Sequence, residues 1–80
     1  MRLLITKQPN PPLSETEVCT IAALLEVYKR LLMMTFATSN RAQGRMTGDH
    51  ELEARSLQET QSFADTAFPH VGMQVISTGR

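Results

Sequence analysis

The segment Leu13-Ser14-Glu15-Thr16-Glu17-Val18 decides where the main helix of this chain begins. Ser14 is a typical helix N-cap, and Glu17 stands three residues later, where it completes a capping box. In that motif each of the two side chains accepts a hydrogen bond from the other residue's backbone amide. Leu13 and Val18 occupy the two positions of a hydrophobic staple. The segment therefore predicts a helix that starts at Glu15.

The residues that follow predict a helical hairpin. Apolar residues fill 15 of the 20 positions from 18 to 37, and Gly44 suits the left-handed position that often follows a helix. We expect the first helix over about 15–43, a turn over 45–48, and a second helix over about 49–68 that Pro69 ends. The helical period gives the second helix one apolar face, made of Leu57, Thr60, Phe63, Ala64, Ala67 and Phe68.

Short strands are predicted at both ends of the chain. Residues 2–6 are a brief aliphatic run, and three prolines make residues 7–12 a stiff linker. Residues 71–77 alternate at period two, with Val71, Met73 and Val75 on one side. With 80 residues, the chain has room for one small domain, over 1–80. The expected fold is α+β, mostly α, in the order β-α-α-β, with the helices antiparallel.

The first helix is apolar around nearly its whole circumference, and such a helix must be covered on all sides. One amphipathic helix and two short strands leave part of it uncovered, so we expect a homodimer or a larger protein partner. The alternative is a compact monomer whose strands cover both flanks of the helix. The predicted interface comprises one face of the first helix, followed by two residues at the hairpin tip: Leu24, Val27, Leu31, Met34, Arg45 and Met46.

The charges balance, with eight basic and eight acidic residues. A net charge of zero gives no bulk attraction to nucleic acid or to an anionic membrane. The basic residues Lys29, Arg30, Arg41 and Arg45 form a window that permits an alternative, a small nucleic-acid-binding dimer. We favour pairing of these residues with the acidic start of the second helix. In particular, we expect Asp49 and Glu53 to pair with an arginine of the first helix, such as Arg41, or of a partner.

Few residues suggest chemistry. Cys19 is the only cysteine, which excludes an internal disulfide, and its apolar neighbours predict a core position. His50 and His70 bracket the second helix and lie about 30 Å apart if it is straight, too far to share a metal. No catalytic pair stands at a recognisable spacing. We therefore expect no enzyme activity, no cofactor and no metal.

The expected compartment is the cytoplasm, without membrane insertion. The apolar run at residues 3–5 is too short for a secretory signal, and Glu26, Lys29 and Arg30 interrupt the long apolar stretch at its centre. The expected function is a small protein–protein interaction module: a regulator, an inhibitor or a chaperone-like accessory protein of the kind that phages encode. A structural assembly subunit is the alternative.

Overall fold

A computed structural model describes residues 1–46 and 48–77. Its elements follow the order β1 (Arg2–Lys7), α1 (Glu15–Ala42), α2 (Asp49–Ala67) and β2 (Gly72–Ile76). The predicted α+β class, mostly helical, and the β-α-α-β order are confirmed, and each predicted boundary is right to within one residue. The predicted turn at 45–48 includes Thr47, which lies outside the described residues.

Helix α1 begins and ends through the local contacts that its sequence predicts. The Glu17 amide donates to the Ser14 hydroxyl at 3.2 Å, and the Ser14 amide donates to the Glu17 carboxylate at 3.0 Å. At the other end, Gly44 has φ +74°. The Arg45 amide donates to the Asn40 carbonyl at 2.8 Å, the bond that defines a Schellman motif. The left-handed residue therefore terminates the helix and turns the chain toward α2.

Two ring contacts show that α1 and α2 run antiparallel. The rings of Tyr28 and Phe63 stack with centroids 4.3 Å apart and planes inclined by 11°. Nearer the hairpin turn, the Arg55 guanidinium lies 4.1 Å from the centre of the Phe36 ring. Sequence numbers rise along α1 as they fall along α2. The predicted antiparallel hairpin is therefore the one observed.

Helix α2 buries smaller residues than its apolar pattern predicts. Its buried positions are four residues apart: Leu52, Ser56, Thr60 and Ala64. The prediction included Thr60 and Ala64 but was wrong about Ala67, which is exposed, and it omitted Ser56, which is fully buried. The Thr60 hydroxyl donates to the Ser56 carbonyl at 2.8 Å, so α2 itself satisfies that buried donor. Small side chains at this spacing allow α2 to approach its neighbours closely.

The two strands form an antiparallel ribbon that closes one end of the core. Leu3 lies opposite Val75, and Ile5 lies opposite Met73. The predicted alternation is confirmed, because Val71 and Met73 are buried and Val75 is half-buried. The buried apolar cluster joins the first half of α1 to the second half of α2 and to the β2 region: Ile21, Leu25, Ala64, Val71 and Met73.

One side chain of α2 occupies the outer edge of β2. The Gln61 amide nitrogen donates to the Met73 carbonyl at 3.0 Å, and the Gln61 amide oxygen accepts from the Val75 amide at 2.9 Å. A single glutamine thereby makes the two hydrogen bonds that a neighbouring strand would make at this point. Because an unpaired strand edge invites pairing with other chains, Gln61 protects this side of the sheet.

Candidate functional site

Helix α1 presents two opposite faces with different surroundings. The inner face carries Ile21, Leu25 and Lys29, which are buried against α2 and the sheet. The outer face carries four large apolar side chains, which we call the outer stripe. They are 47%, 55%, 58% and 67% exposed, in the order Leu24, Val27, Leu31 and Met34. The terminal strands do not cover this face, contrary to the compact-monomer alternative.

The outer stripe follows the spacing of a helix–helix seam. Steps of three, four and three residues keep all four side chains on one line along the helix. The same spacing continues to Thr20 before the stripe and to Thr38 after it. At a rise of 1.5 Å per residue, the line from 20 to 38 is about 27 Å long. The four apolar residues were predicted from the sequence, whereas the two threonines were not, although the spacing indicates them.

The surroundings of the outer stripe carry almost no charge. Among the exposed residues of α1 between 19 and 39, all of them described, Arg30 alone is charged. Its Nε atom lies 3.4 Å from the Glu26 carboxylate, and its side chain is 75% exposed. Solvated helix faces are usually rich in charged side chains, and a contiguous apolar patch is typical of an interaction surface. A shallow depression lined by Leu31, Met34, Thr35, Thr38 and Ser39 lies in this face.

A network of charges on the other side of α1 holds the outer stripe outward. The buried Lys29 ammonium lies 3.5 Å from the Glu26 carboxylate and 3.6 Å from the Glu53 carboxylate of α2. The amino group of Met1 lies 3.2 Å from Glu26, and the Ser77 hydroxyl donates to Glu53. The network therefore joins α1 to α2 and to both terminal segments. It fixes the rotation of α1 about its own axis, and with it the direction of the outer stripe.

The pKa values of the two network carboxyls reflect these contacts. Partial burial raises the pKa of Glu26, but the hydrogen bond from the Met1 amino group and the charges of Lys29, Met1 and Arg30 outweigh it, so the pKa is lowered. The hydrogen bond from Ser77 and the charge of Lys29 lower the pKa of Glu53 against the effect of burial. Both carboxylates are ionised at neutral pH.

The partner predicted for Glu53 was wrong. The basic group beside Glu53 is Lys29, not Arg41. Lysine fits because its long apolar stem can cross the inner face of α1 while its ammonium reaches both carboxylates. Arg41 is exposed in the last turn of α1, where a cation suits the negative end of the helix dipole.

The burial of Lys29 also divides the basic window. Lys29 points into the α1–α2 contact, whereas Arg30, Arg41 and Arg45 are exposed. The four basic residues therefore do not form one continuous surface that could follow a phosphate backbone.

The hairpin tip, Arg45 and Met46, is exposed. Met46 shows 102% of its reference exposure, the largest value among the exposed apolar residues described. The tip borders a cleft whose remaining walls come from the end of α1 and the start of α2: Ala37, Asn40, Arg41, Asp49 and Leu52. The cleft at the tip and the depression at the outer stripe have no lining residue in common, so we treat the two as separate candidate contacts.

No metal-binding cluster of three or more histidine, cysteine, aspartate or glutamate side chains occurs among residues 1–46 and 48–77. His50 and His70 are both exposed. Cys19 is exposed as well, so its predicted core position was wrong. Its apolar sequence neighbours misled the prediction, because Cys19 itself lies on the solvent side of α1.

Within the described part of the chain, neither helix combines the length and apolarity that a membrane crossing requires. No protein-family model, curated protein or solved structure matches the sequence or the fold. The geometry of α1 and of the hairpin tip is therefore the basis for inferring a function.

Proposed function

We propose that this protein is a small non-enzymatic interaction module that binds another protein chain through the outer stripe of α1. The occupant is a second copy or a larger protein that the module regulates, inhibits or escorts. The observation that supports the proposal is the outer stripe itself: four large apolar side chains in one line on a nearly uncharged face.

The free energy that would be gained by burying the outer stripe supports a protein contact rather than a solvated surface. Burying one large apolar side chain contributes about 1.5–3 kcal/mol. Because these four are about half exposed, covering them all would contribute roughly 3–6 kcal/mol. The whole folding stability of a domain of this size is about 4–12 kcal/mol. A stripe that stays in water would therefore forgo an energy comparable with that stability.

The hairpin tip extends the proposal to a second contact. Arg45 and Met46 place a guanidinium next in sequence to a flexible apolar side chain, and both residues are exposed at the hairpin turn. Arginine is enriched among the residues that dominate binding energies, and methionine adapts to irregular partner surfaces. A larger partner that grips the module can use the tip as an anchor separate from the outer stripe.

We also propose the cytoplasm as the compartment. The only cysteine, Cys19, is exposed and unpaired with another cysteine, which suits a reducing environment.

The experiment compares three purified proteins: wild type, Leu31→Glu in the outer stripe, and Gln58→Glu on the exposed side of α2. Self-association is measured by analytical ultracentrifugation, and binding to other proteins is measured by affinity capture from the native host. We expect wild type and Gln58→Glu to behave alike, while Leu31→Glu loses the association. Both substitutions add one carboxylate to an exposed helix position, so the change in charge is matched.

Circular dichroism verifies that both variants fold. If all three proteins show the same associations, or if none associates with anything, the outer stripe is not a binding surface and the proposal is wrong.

A further inference from the structure

We propose that a second copy of this chain covers the outer stripe, with the two α1 helices packed antiparallel about a two-fold axis between Val27 and Leu31. This inference rests on the proposed function, because it names the occupant of the same surface. Spacing, charge and accessible area each support it.

The spacing of the outer stripe reads the same in both directions. Steps of three, four and three residues are symmetric about the middle of the stripe. In an antiparallel pair, Leu24 therefore meets Met34 of the second copy, and Val27 meets Leu31 of the second copy. Thr20 and Thr38, one step farther out, meet each other by the same rule. A two-fold interface requires such self-complementarity, because one patch serves on both subunits.

The charges at the two ends of the line favour the antiparallel arrangement over the parallel one. The next positions at the same spacing are Glu17 before Thr20 and Arg41 after Thr38, and both are exposed. Antiparallel packing places Glu17 beside Arg41 of the second copy, twice in the dimer. Parallel packing would place Glu17 beside Glu17 and Arg41 beside Arg41. Rim charges of this kind select partner and orientation rather than supply most of the affinity.

Arg30 does not oppose this arrangement. Arg30 flanks the stripe near the proposed two-fold axis. The Arg30 side chains of the two copies would therefore lie close together on the same side of the helix–helix seam. Within one chain, the Arg30 side chain is directed to the Glu26 carboxylate, 3.4 Å from its Nε atom. Glu26 lies away from the stripe, on the flank of α1 that contacts the Met1 amino group. Each copy therefore neutralises its own Arg30 beside the interface.

The accessible area of one chain also fits a dimer. It is 5782 Å² for a chain of 8.9 kDa. A compact monomer of this mass exposes about 4,800 Å², so the excess is roughly 1,000 Å². One partner in a standard protein interface contributes about 800 Å². The chain is elongated, 49 × 25 × 17 Å, and a helix seam along the long axis would give a more compact assembly.

The test determines both the mass and the orientation. Sedimentation of wild type at micromolar concentration should give twice the 8.9 kDa of one chain. Leu31→Glu should raise the dissociation constant at least ~100-fold, because it places a carboxylate in an apolar seam, whereas Gln58→Glu should leave it unchanged.

Orientation is read by disulfide cross-linking in a Cys19→Ser background. Thr20→Cys and Thr38→Cys are prepared separately, oxidised alone, and oxidised as an equimolar mixture. Antiparallel packing predicts a covalent dimer in the mixture, containing one copy of each variant, and little cross-linking of either variant alone. If each variant oxidised alone forms a covalent dimer as fast as the mixture does, the helices pack parallel and the proposal is overturned.

If the wild-type protein sediments as a monomer, a second copy does not cover the outer stripe and this proposal is wrong. If that monomer still captures a different protein and Leu31→Glu abolishes the capture, the proposed function stands with another partner. If the monomer captures nothing through the outer stripe, the proposed function fails as well.

Discussion

Replacing Lys29 with methionine should destabilise the fold far more than the same change at its neighbour Arg30. Each cation lies within 3.6 Å of a carboxylate oxygen, but Lys29 pairs with carboxylates on both helices, whereas Arg30 pairs only within α1. Their surroundings differ: the Lys29 side chain is 9% exposed, and that of Arg30 is 75% exposed. The comparison therefore contrasts a buried cation shared by two helices with an exposed cation that pairs within one helix.

The expected magnitude follows from the geometry. Lys29 faces two carboxylates, at 3.5 Å and 3.6 Å, on two different helices. Removing one partner from a buried ion pair costs about 3–5 kcal/mol when the remaining charge stays dry. Here the Glu26 and Glu53 side chains are each 28% exposed and can partly rehydrate, so we expect a loss of about 2–4 kcal/mol. Methionine retains most of the apolar stem, so the loss measures charge rather than packing. For Arg30→Met we expect a loss of no more than about 0.5–1 kcal/mol, as for other exposed pairs.

The assay is equilibrium unfolding in urea, monitored by circular dichroism at a series of pH values. Folding lowers the pKa values of Glu26 and Glu53, so their stabilisation is present above the unfolded value of 4.5 and is lost as the pH falls through the folded values. Lys29 is one cause of that lowering. The stability difference between wild type and Lys29→Met should therefore shrink as the pH falls below 4.5.

Equal losses for Lys29→Met and Arg30→Met at neutral pH would refute the reasoning. A difference between wild type and Lys29→Met that does not change with pH would do the same, because it would exclude the carboxylates as the source of the effect.

Three further changes test other parts of the structure. Ser14→Ala should destabilise the protein by about 0.5–2 kcal/mol in chemical denaturation, the usual loss for an N-cap; no change would mean that the capping box is not formed in solution. Gln61→Ala should lower the free energy of unfolding by about 1–3 kcal/mol and speed hydrogen exchange of the Val75 amide, which donates to Gln61. Unchanged exchange at Val75 would show that Gln61 does not protect this edge. The double variant Arg45→Ala/Met46→Ala should weaken binding of a larger protein partner without changing stability, and Gln58→Ala should do neither; the reverse result would place the interface along α2.

The sequence predicted those features that depend on local contacts. Ser14, Glu17 and Gly44 determine the ends of α1 through bonds to residues three to five positions away, so their effect can be recognised without a tertiary structure. The outer stripe was predictable for a related reason. A helix that is apolar on all sides must leave some apolar residues exposed when only one further helix and two short strands are present to cover it.

The features that depend on tertiary contacts were harder to predict from the sequence. Ser56 is buried because a small side chain allows a close helix approach, a property that a hydrophobicity pattern does not register. The partner of Glu53 depends on the rotation of α1 relative to α2, which placed Lys29 rather than Arg41 within reach. Cys19 is exposed for the same reason: the rotation sets which arc of an apolar helix meets solvent.

The hydrogen bonds of Gln61 have a consequence for how this small sheet can grow. A filament of stacked strands needs two open edges on every unit, one to receive a neighbour and one to offer to the next. Gln61 occupies the β2 edge at Met73 and Val75, so a strand added to this sheet would have to pair with β1. Two copies that pair edge to edge through β1 would form a four-stranded sheet whose two outer strands are both β2. A glutamine would then block each outer edge. The same side chain that completes the hydrogen bonding of one strand thus makes strand addition self-terminating.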